Sequence, residues 1–242
     1  KNKLFVNQKD GTFKALKDRN LQREVQAMGL NCIDVNNDGW LDLYHGTGYP
    51  DYSALSPNLM FLNQIGNRIE VVTISSGLGH LQKGHGISVG DPDRDGDNDI
   101  YISMGGFFEG DRFNNAYFEN NSKMGKFIVL KLIGDRSNMN AIGARIKITV
   151  RLLGGGTQEI HRTVGSCSSY GQQSYEQVIG LGDAVGIDQL ELSWPRTNSV
   201  QIFNNIQVGK KYDVKEGDTV LNEEPYVERP INPLTAVSEH HH

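Results

Sequence analysis

Apolar residues in this chain come in short runs, broken every few positions by Gly, Asn or Asp. Ala144–Leu153 alternates Ala144, Ile146, Ile148 and Val150 with Arg145, Lys147, Thr149 and Arg151, the two-residue period of a half-buried strand. Gly154-Gly-Gly156 then turns the chain into a partner strand, Thr157–Val164. Further strands are predicted at Phe127–Ile133, Tyr175–Ile179, Asp188–Trp194, Val200–Phe203 and Lys211–Val214. Seven such segments with short turns point to a small β-sandwich or barrel over residues 126–218. The first half follows another rule: Leu30-Asn-Cys-Ile33, Leu43-Tyr44, Ile87-Ser-Val89 and Ile100-Tyr-Ile102 are β-forming runs that flank two acidic loops.

Those loops are Asp34–Asp42 and Asp91–Asp99. Each carries oxygen-bearing side chains at positions 1, 3, 5 and 9: Asp34, Asn36, Asp38 and Asp42 in one, Asp91, Asp93, Asp95 and Asp99 in the other. Position 6 is Gly39 or Gly96, which permits a tight wrap without a Cβ penalty. Alternate side chains then converge on one point. A hard cage of this kind suits Ca²⁺, which accepts six to eight oxygens at irregular angles, with the position-7 carbonyls of Trp40 and Asp97 as further ligands. An EF-hand would place Glu at position 12, but His45 and Ile102 stand there, and the flanks are strands. Two calcium sites are therefore expected in loops that join strands.

The loops are copies of one unit, since Asp34 and Asp91 stand 57 positions apart, a period of arrays and propellers. A second marker recurs beside them: Leu4-Phe-Val-Asn7, Met60-Phe-Leu-Asn63 and Tyr117-Phe-Glu-Asn120. Asp10-Gly-Thr-Phe13 follows the first copy as a tight turn into another strand. These units resemble FG-GAP (VCBS-type) repeats, the calcium-loop blades of integrin-α-like β-propellers, over residues 1–125. The second half resembles the ASPIC/UnbV domain of cartilage-acidic-protein-like chains. Ser137-Asn138, Ile142-Gly-Ala-Arg-Ile146, Ile179-Gly-Leu-Gly182 and Trp194-Pro195 carry that likeness. The expected fold is all-β: a partial array of propeller-type blades followed by a small sandwich or barrel.

A formal net charge of −5, much of it in the loops, comes with no basic stripe for nucleic acid and no cationic amphipathic helix for a membrane surface. No apolar run is long enough to span a bilayer. Residues 219–242 are expected to form an extended tail, with Pro225, Pro230 and Pro233 in it, ending in a tag-like His240-His-His242. The sequence starts inside a repeat, so an open blade edge is a candidate surface for association. Cys32 and Cys167 carry no disulfide framework; two buried thiols are expected, with a bridge between the two halves as the alternative in an oxidising compartment. Asn120-Asn-Ser122 fits a glycosylation acceptor.

His45, Tyr49, Asp51, His80, His85, Glu109 and Asp111 form the best enzyme-like group. Their spacing matches no metal-ligand pattern, and no catalytic residue is assigned. The expected function is a calcium-stabilised interaction or adhesion module, secreted, periplasmic or at the cell surface, with an extracellular protein or glycan as partner. The alternative is an enzyme or enzyme accessory with a site near His85, Glu109 and Asp111.

Overall fold

The computed structural model describes residues 3–21, 25–53, 55–66, 68–106, 108–122, 125–165 and 168–231, and all regular structure in them is strand. Strands β1 (Phe5–Asn7) and β2 (Phe13–Ala15) form an antiparallel hairpin that turns at Asp10-Gly11. Strands β3 (Ala27–Ile33), β4 (Asp42–Thr47), β5 (Leu59–Gln64) and β6 (Arg68–Val71) form an antiparallel meander. Strands β7 (Gly84–Gly90), β8 (Asp99–Met104) and β9 (Ala116–Phe118) repeat it with one strand fewer. Each acidic loop joins the first two strands of its blade, as the flanking β-forming runs predict.

Successive side chains of a strand point to opposite faces, and β5 uses both. Leu59 and Phe61 pack with Leu21 and Ile69, whereas Met60 packs with Ile33, Tyr44, Ile87 and Ile102. The first blade is thus buried on both sides, which explains why Leu59-Met-Phe61 is a continuous apolar run rather than an alternating one.

The second half is a sandwich of two sheets. Strands β10 (Lys126–Ile133), β11 (Arg145–Leu152), β12 (Thr157–Thr163), β13 (Ser168–Ser169), β14 (Glu176–Gly182), β15 (Ala184–Ser193), β16 (Val200–Ile206), β17 (Lys211–Lys215) and β18 (Asn222–Glu224) follow in chain order. One sheet runs β14-β10-β17-β18, the other β12-β11-β15-β16. Ile128 and Leu130 from the first meet Ile146, Ile148 and Leu192 from the second in one core with Trp194. Burying each aliphatic side chain contributes roughly 1.5–3 kcal/mol. The seven predicted strands are all present, with ends moved by a few residues.

Two features depart from the expectations. β13 leaves the second half and pairs with β3, Ser168 opposite Asn31 and Ser169 opposite Leu30, covering that edge of the first blade. Beside that pairing Cys32 is disulfide-bonded rather than a free thiol; the one other cysteine, Cys167, lies outside the described residues. The ladder explains the correction, because it carries the 168–169 segment alongside the strand that holds Cys32. The described part of the tail docks on the fold: β18 pairs with β17, and Tyr226 reaches back to the second acidic loop. Residues 232–242 lie outside the described residues.

Glu216, just past β17, holds the sandwich's polar end together. Its Oε2 accepts the backbone N–H groups of Asp135, Arg136 and Ser137 at 2.7–3.0 Å, and its Oε1 accepts the hydroxyls of Ser137 and Thr197. Desolvation is the largest single influence and pushes its carboxyl up, but these donors together outweigh it and pull the carboxyl down to about 2 from 4.5. Because the folded value lies below the unfolded one, its contribution is present above about pH 4.5 and is lost as pH falls through about 2. Glu216→Ala should therefore lower the urea midpoint at neutral pH. The gap from the unsubstituted protein should close on acidification; a gap independent of pH would refute the charge-based role.

Candidate metal centre

The two acidic loops fold by one hydrogen-bond plan. In the first, Asp34 Oδ1 accepts from Asp38 N at 3.0 Å and Oδ2 from Gly39 N at 3.0 Å. In the second, Asp91 Oδ1 accepts from Asp95 N at 3.2 Å and Oδ2 from Gly96 N at 2.9 Å. Position 5 likewise accepts from the position-7 N–H, Asp38 from Trp40 at 2.8 Å and Asp95 from Asp97 at 3.1 Å. Both loops cross into left-handed backbone twice, at Asn37 and Gly39 and at Arg94 and Gly96. A Cβ at Gly96 would run into the Phe127 ring, so glycine is needed there for space as well as for φ.

Position 9 closes each loop through the second repeat marker. Asn63 N donates to Asp42 Oδ1 and Asn120 N to Asp99 Oδ1, both at 2.7 Å. Their side-chain amides reach the carbonyls of Leu41 and Asn98 at 3.1 and 3.3 Å. Asn120 also donates to Val35 O at 2.8 Å, so the glycosylation-like triplet has its amide engaged in the fold.

The loops differ in charge. Loop 2 brings Asp91, Asp93 and Asp99 together, with one oxygen of each lying within 4.8 Å of the others, and this cluster can hold a metal ion. Asp97 adds a carboxylate that is 4% exposed and has neither oxygen partnered. Reasoning from spacing counted only its carbonyl; an Asp where the other loop has Trp40 was the available signal. Loop 1 has Asn36 in place of Asp93. Its Asp34 Oδ2 pairs at 3.1 Å with Arg162 from β12, a buried guanidinium that also donates to Gly39 O at 3.3 Å. Sequence spacing could not reveal Arg162, which is 128 residues away from its partner.

The loops lie side by side, with Asn37 Nδ2 donating to Gly96 O at 2.9 Å. The second half covers them: Gly182 N donates to Asn37 O, Gln158 to Asp38 O and Asn98 to Val178 O. Burial with like charges nearby is the cause of raised carboxyls. Asp34, Asp42 and Asp91 are pushed up to about 7, Asp97 to about 8 and Asp99 to about 6. Desolvation is the largest cause in each, and for Asp97 it is followed by repulsion from Asp95, Asp99, Asp91 and Asp93.

The enzyme-like residues lie at the other end of the blades, and most are engaged structurally. Asp111 pairs with Lys83, a lysine 1% exposed that sits 5.9 Å from the Tyr52 ring centre. His85 Nε2 is 2.6 Å from Gly105 O. His80 packs edge-on to Phe113 and accepts from Gln82 N. His45 packs on Phe61, and burial pushes its imidazole down to about 4, leaving it neutral. Asp51 accepts from Ser53, while Tyr49 and Glu109 are exposed.

Fold and site together define a chain of β-propeller-type blades with acidic loops, a partial array, joined to a β-sandwich. Residues 1–45 match the FG-GAP-like repeat and residues 134–221 match the ASPIC and UnbV domain, so the two elements follow one another in that order along the chain. The repeat match ends at residue 45, so the second loop is assigned by its geometry. No curated protein matches the chain. A solved Bacteroides ovatus structure, provisionally named as a cell adhesion protein, aligns with 94% of this chain and 95% of its own at 10% identity. Its TM-score of 0.27 is too low to bear on fold or function.

The raised carboxyls set a pH dependence. Their folded values lie above the unfolded 3.8. Their stabilising contribution is therefore complete below about pH 4 and is lost as pH rises through about 6–8. Chelator-stripped protein should unfold at a lower temperature near pH 8 than near pH 5. Calcium, which binds the ionised form, should remove most of that fall; a metal-free midpoint that rises steadily with pH would contradict the assignment.

Proposed function

We propose that this chain is a calcium-stabilised interaction module of an extracytoplasmic protein, serving adhesion or recognition. The observation that carries this reading is the buried, unpartnered Asp97 carboxylate in a loop that already gathers Asp91, Asp93 and Asp99. Buried charge without a partner is strongly unfavourable, and a divalent cation answers it. The donors are all oxygens, without thiol or imidazole, which favours a hard ion. Calcium accepts such a crowded, irregular set more readily than magnesium. Asp91, Asp93, Asp95 and Asp99 would hold the ion in loop 2, with Asp97 beside them. Asp34, Asn36, Asp38 and Asp42, with the Trp40 carbonyl, would hold a second in loop 1, where Arg162 already offsets one negative charge.

The ion's role here is to brace the blades, with no catalytic step. Extracellular calcium modules bind with Kd of about 10⁻⁴–10⁻³ M, so such loops fill outside the cytosol. The disulfide at Cys32 supports an oxidising setting. Among the described residues, no helix is long and apolar enough to cross a membrane. Tyr49, Tyr52, Phe108 and Phe113 are exposed at the blade end away from the loops, and that end offers aromatic surface to an extracellular protein or glycan.

Thermal unfolding in chelator and in millimolar calcium, with magnesium as control, tests this directly. Ligand at about 100 times Kd stabilises by about 2.7 kcal/mol per site, and the rise should be specific to calcium. Asp95→Ala should lose the loop 2 ion and Asp38→Ala the loop 1 ion. Unchanged calcium content in either variant would remove that loop from the assignment.

A further inference from the structure

In both loops a side chain from far along the chain donates to the same atom. The position-1 Oδ2, which already accepts the position-6 N–H, also accepts Arg162 in loop 1 and the Tyr226 hydroxyl in loop 2, the latter at 2.8 Å. The two donors differ in how they are held. Arg162 belongs to β12, inside a sheet. Tyr226 lies two residues beyond β18, a half-buried ring in a stretch whose other residues from Asn222 to Pro230 are exposed.

The ring is seated among Phe127, with centroids 6.4 Å apart, Arg94 at 5.8 Å and Lys211 at 5.9 Å. Three residues on, Arg229 N donates to Asp93 O at 2.5 Å. The tail therefore grips positions 1 and 3 of loop 2, one through a ligand carboxylate and one through the backbone that aims another.

We propose that residues 222–230 form a calcium-linked strap, with Tyr226 as a positioning residue for the loop 2 ion; this rests on calcium occupying that loop. A hydroxyl bonded to the outer oxygen of Asp91 fixes the carboxylate's orientation before the ion arrives. Loss of such outer partners typically lowers metal affinity by about 10–100-fold. Coupling is reciprocal, so whatever factor the closed strap adds to ion affinity, the ion adds to strap closure.

The test combines a calcium titration with hydrogen exchange on the full chain, using unsubstituted protein, Tyr226→Phe and Arg229→Pro. Phenylalanine keeps the ring contacts and removes only the hydroxyl; proline removes the N–H directed at Asp93 together with the guanidinium, and it fixes φ at that residue. Each variant should weaken loop 2 by about 10-fold and leave loop 1 unchanged. In the unsubstituted protein calcium should slow exchange across 222–230, and in the variants that slowing should shrink. Variants that bind like the unsubstituted protein, or a strap whose exchange ignores calcium, would overturn the strap while leaving calcium in place. Absence of calcium from loop 2 of the unsubstituted protein would overturn the calcium reading and the strap with it.

Discussion

The structure turns on crowded negative charge. Two unit charges 4 Å apart repel by about 4 kcal/mol at an effective dielectric of 20, and loop 2 brings one oxygen from each of three carboxylates within 4.8 Å of one another and adds a buried fourth carboxylate. Such a turn does not hold itself closed. Backbone N–H groups at positions 5, 6 and 7, two left-handed residues per loop and the Asn63 or Asn120 clamp fix the oxygens in place. What they leave is a concentration of charge that must be met by protons, by a fixed cation such as Arg162, or by a metal ion.

That need reaches beyond the blades. The donors that complete the loops come from β12, from Gly182 at the end of β14 and from the tail. The blades in turn accept β13 on the β3 edge and Gln173 against the Cys32 carbonyl. Each half therefore supplies what the other leaves unfinished: polar partners for buried charge in one direction, an edge strand in the other. The seam is stitched by directed hydrogen bonds rather than by a shared apolar core, since the sandwich core and the blade cores are separate clusters.

Legibility followed the range of the interaction. The loops, their glycines and the repeat could be read because nine consecutive residues contain most of a cage, and strand alternation is likewise local. The Asn markers were visible as a pattern, but their task as clamps on Asp42 and Asp99 needed the meander to bring them back across 21 residues. Arg162, Tyr226 and the pairing of β13 with β3 were invisible, because no spacing announces contacts 128, 135 and 137–139 residues apart. The cysteines failed for the same reason: Cys32 read as a core thiol until β13 was laid beside it. At position 7 such a loop supplies a backbone carbonyl, so the spacing assigns Asp97 that role and leaves its side chain uncounted.

Burial of the loops also constrains where recognition can occur. On the proposed reading, an ion in loop 1 would lie beside Arg162 and one in loop 2 beside Tyr226, each where the second half or the tail covers its loop. Each ion's contribution would then be to rigidity, carried along β4 and β8, which both begin at a loop's position 9. At the far ends of those strands lie the segments carrying Tyr49, Tyr52, Phe108 and Phe113. They are joined across the two blades by the Tyr52–Phe108 stack at 5.3 Å and by Lys83, which pairs with Asp111 in its own blade and lies 5.9 Å from the Tyr52 ring centre. Exposed aromatic groups bind well only when little freedom is left for the partner to remove. On this reading the carboxylate loops and the aromatic end are two ends of one device: the ion fixes the strands, and the strands fix the surface.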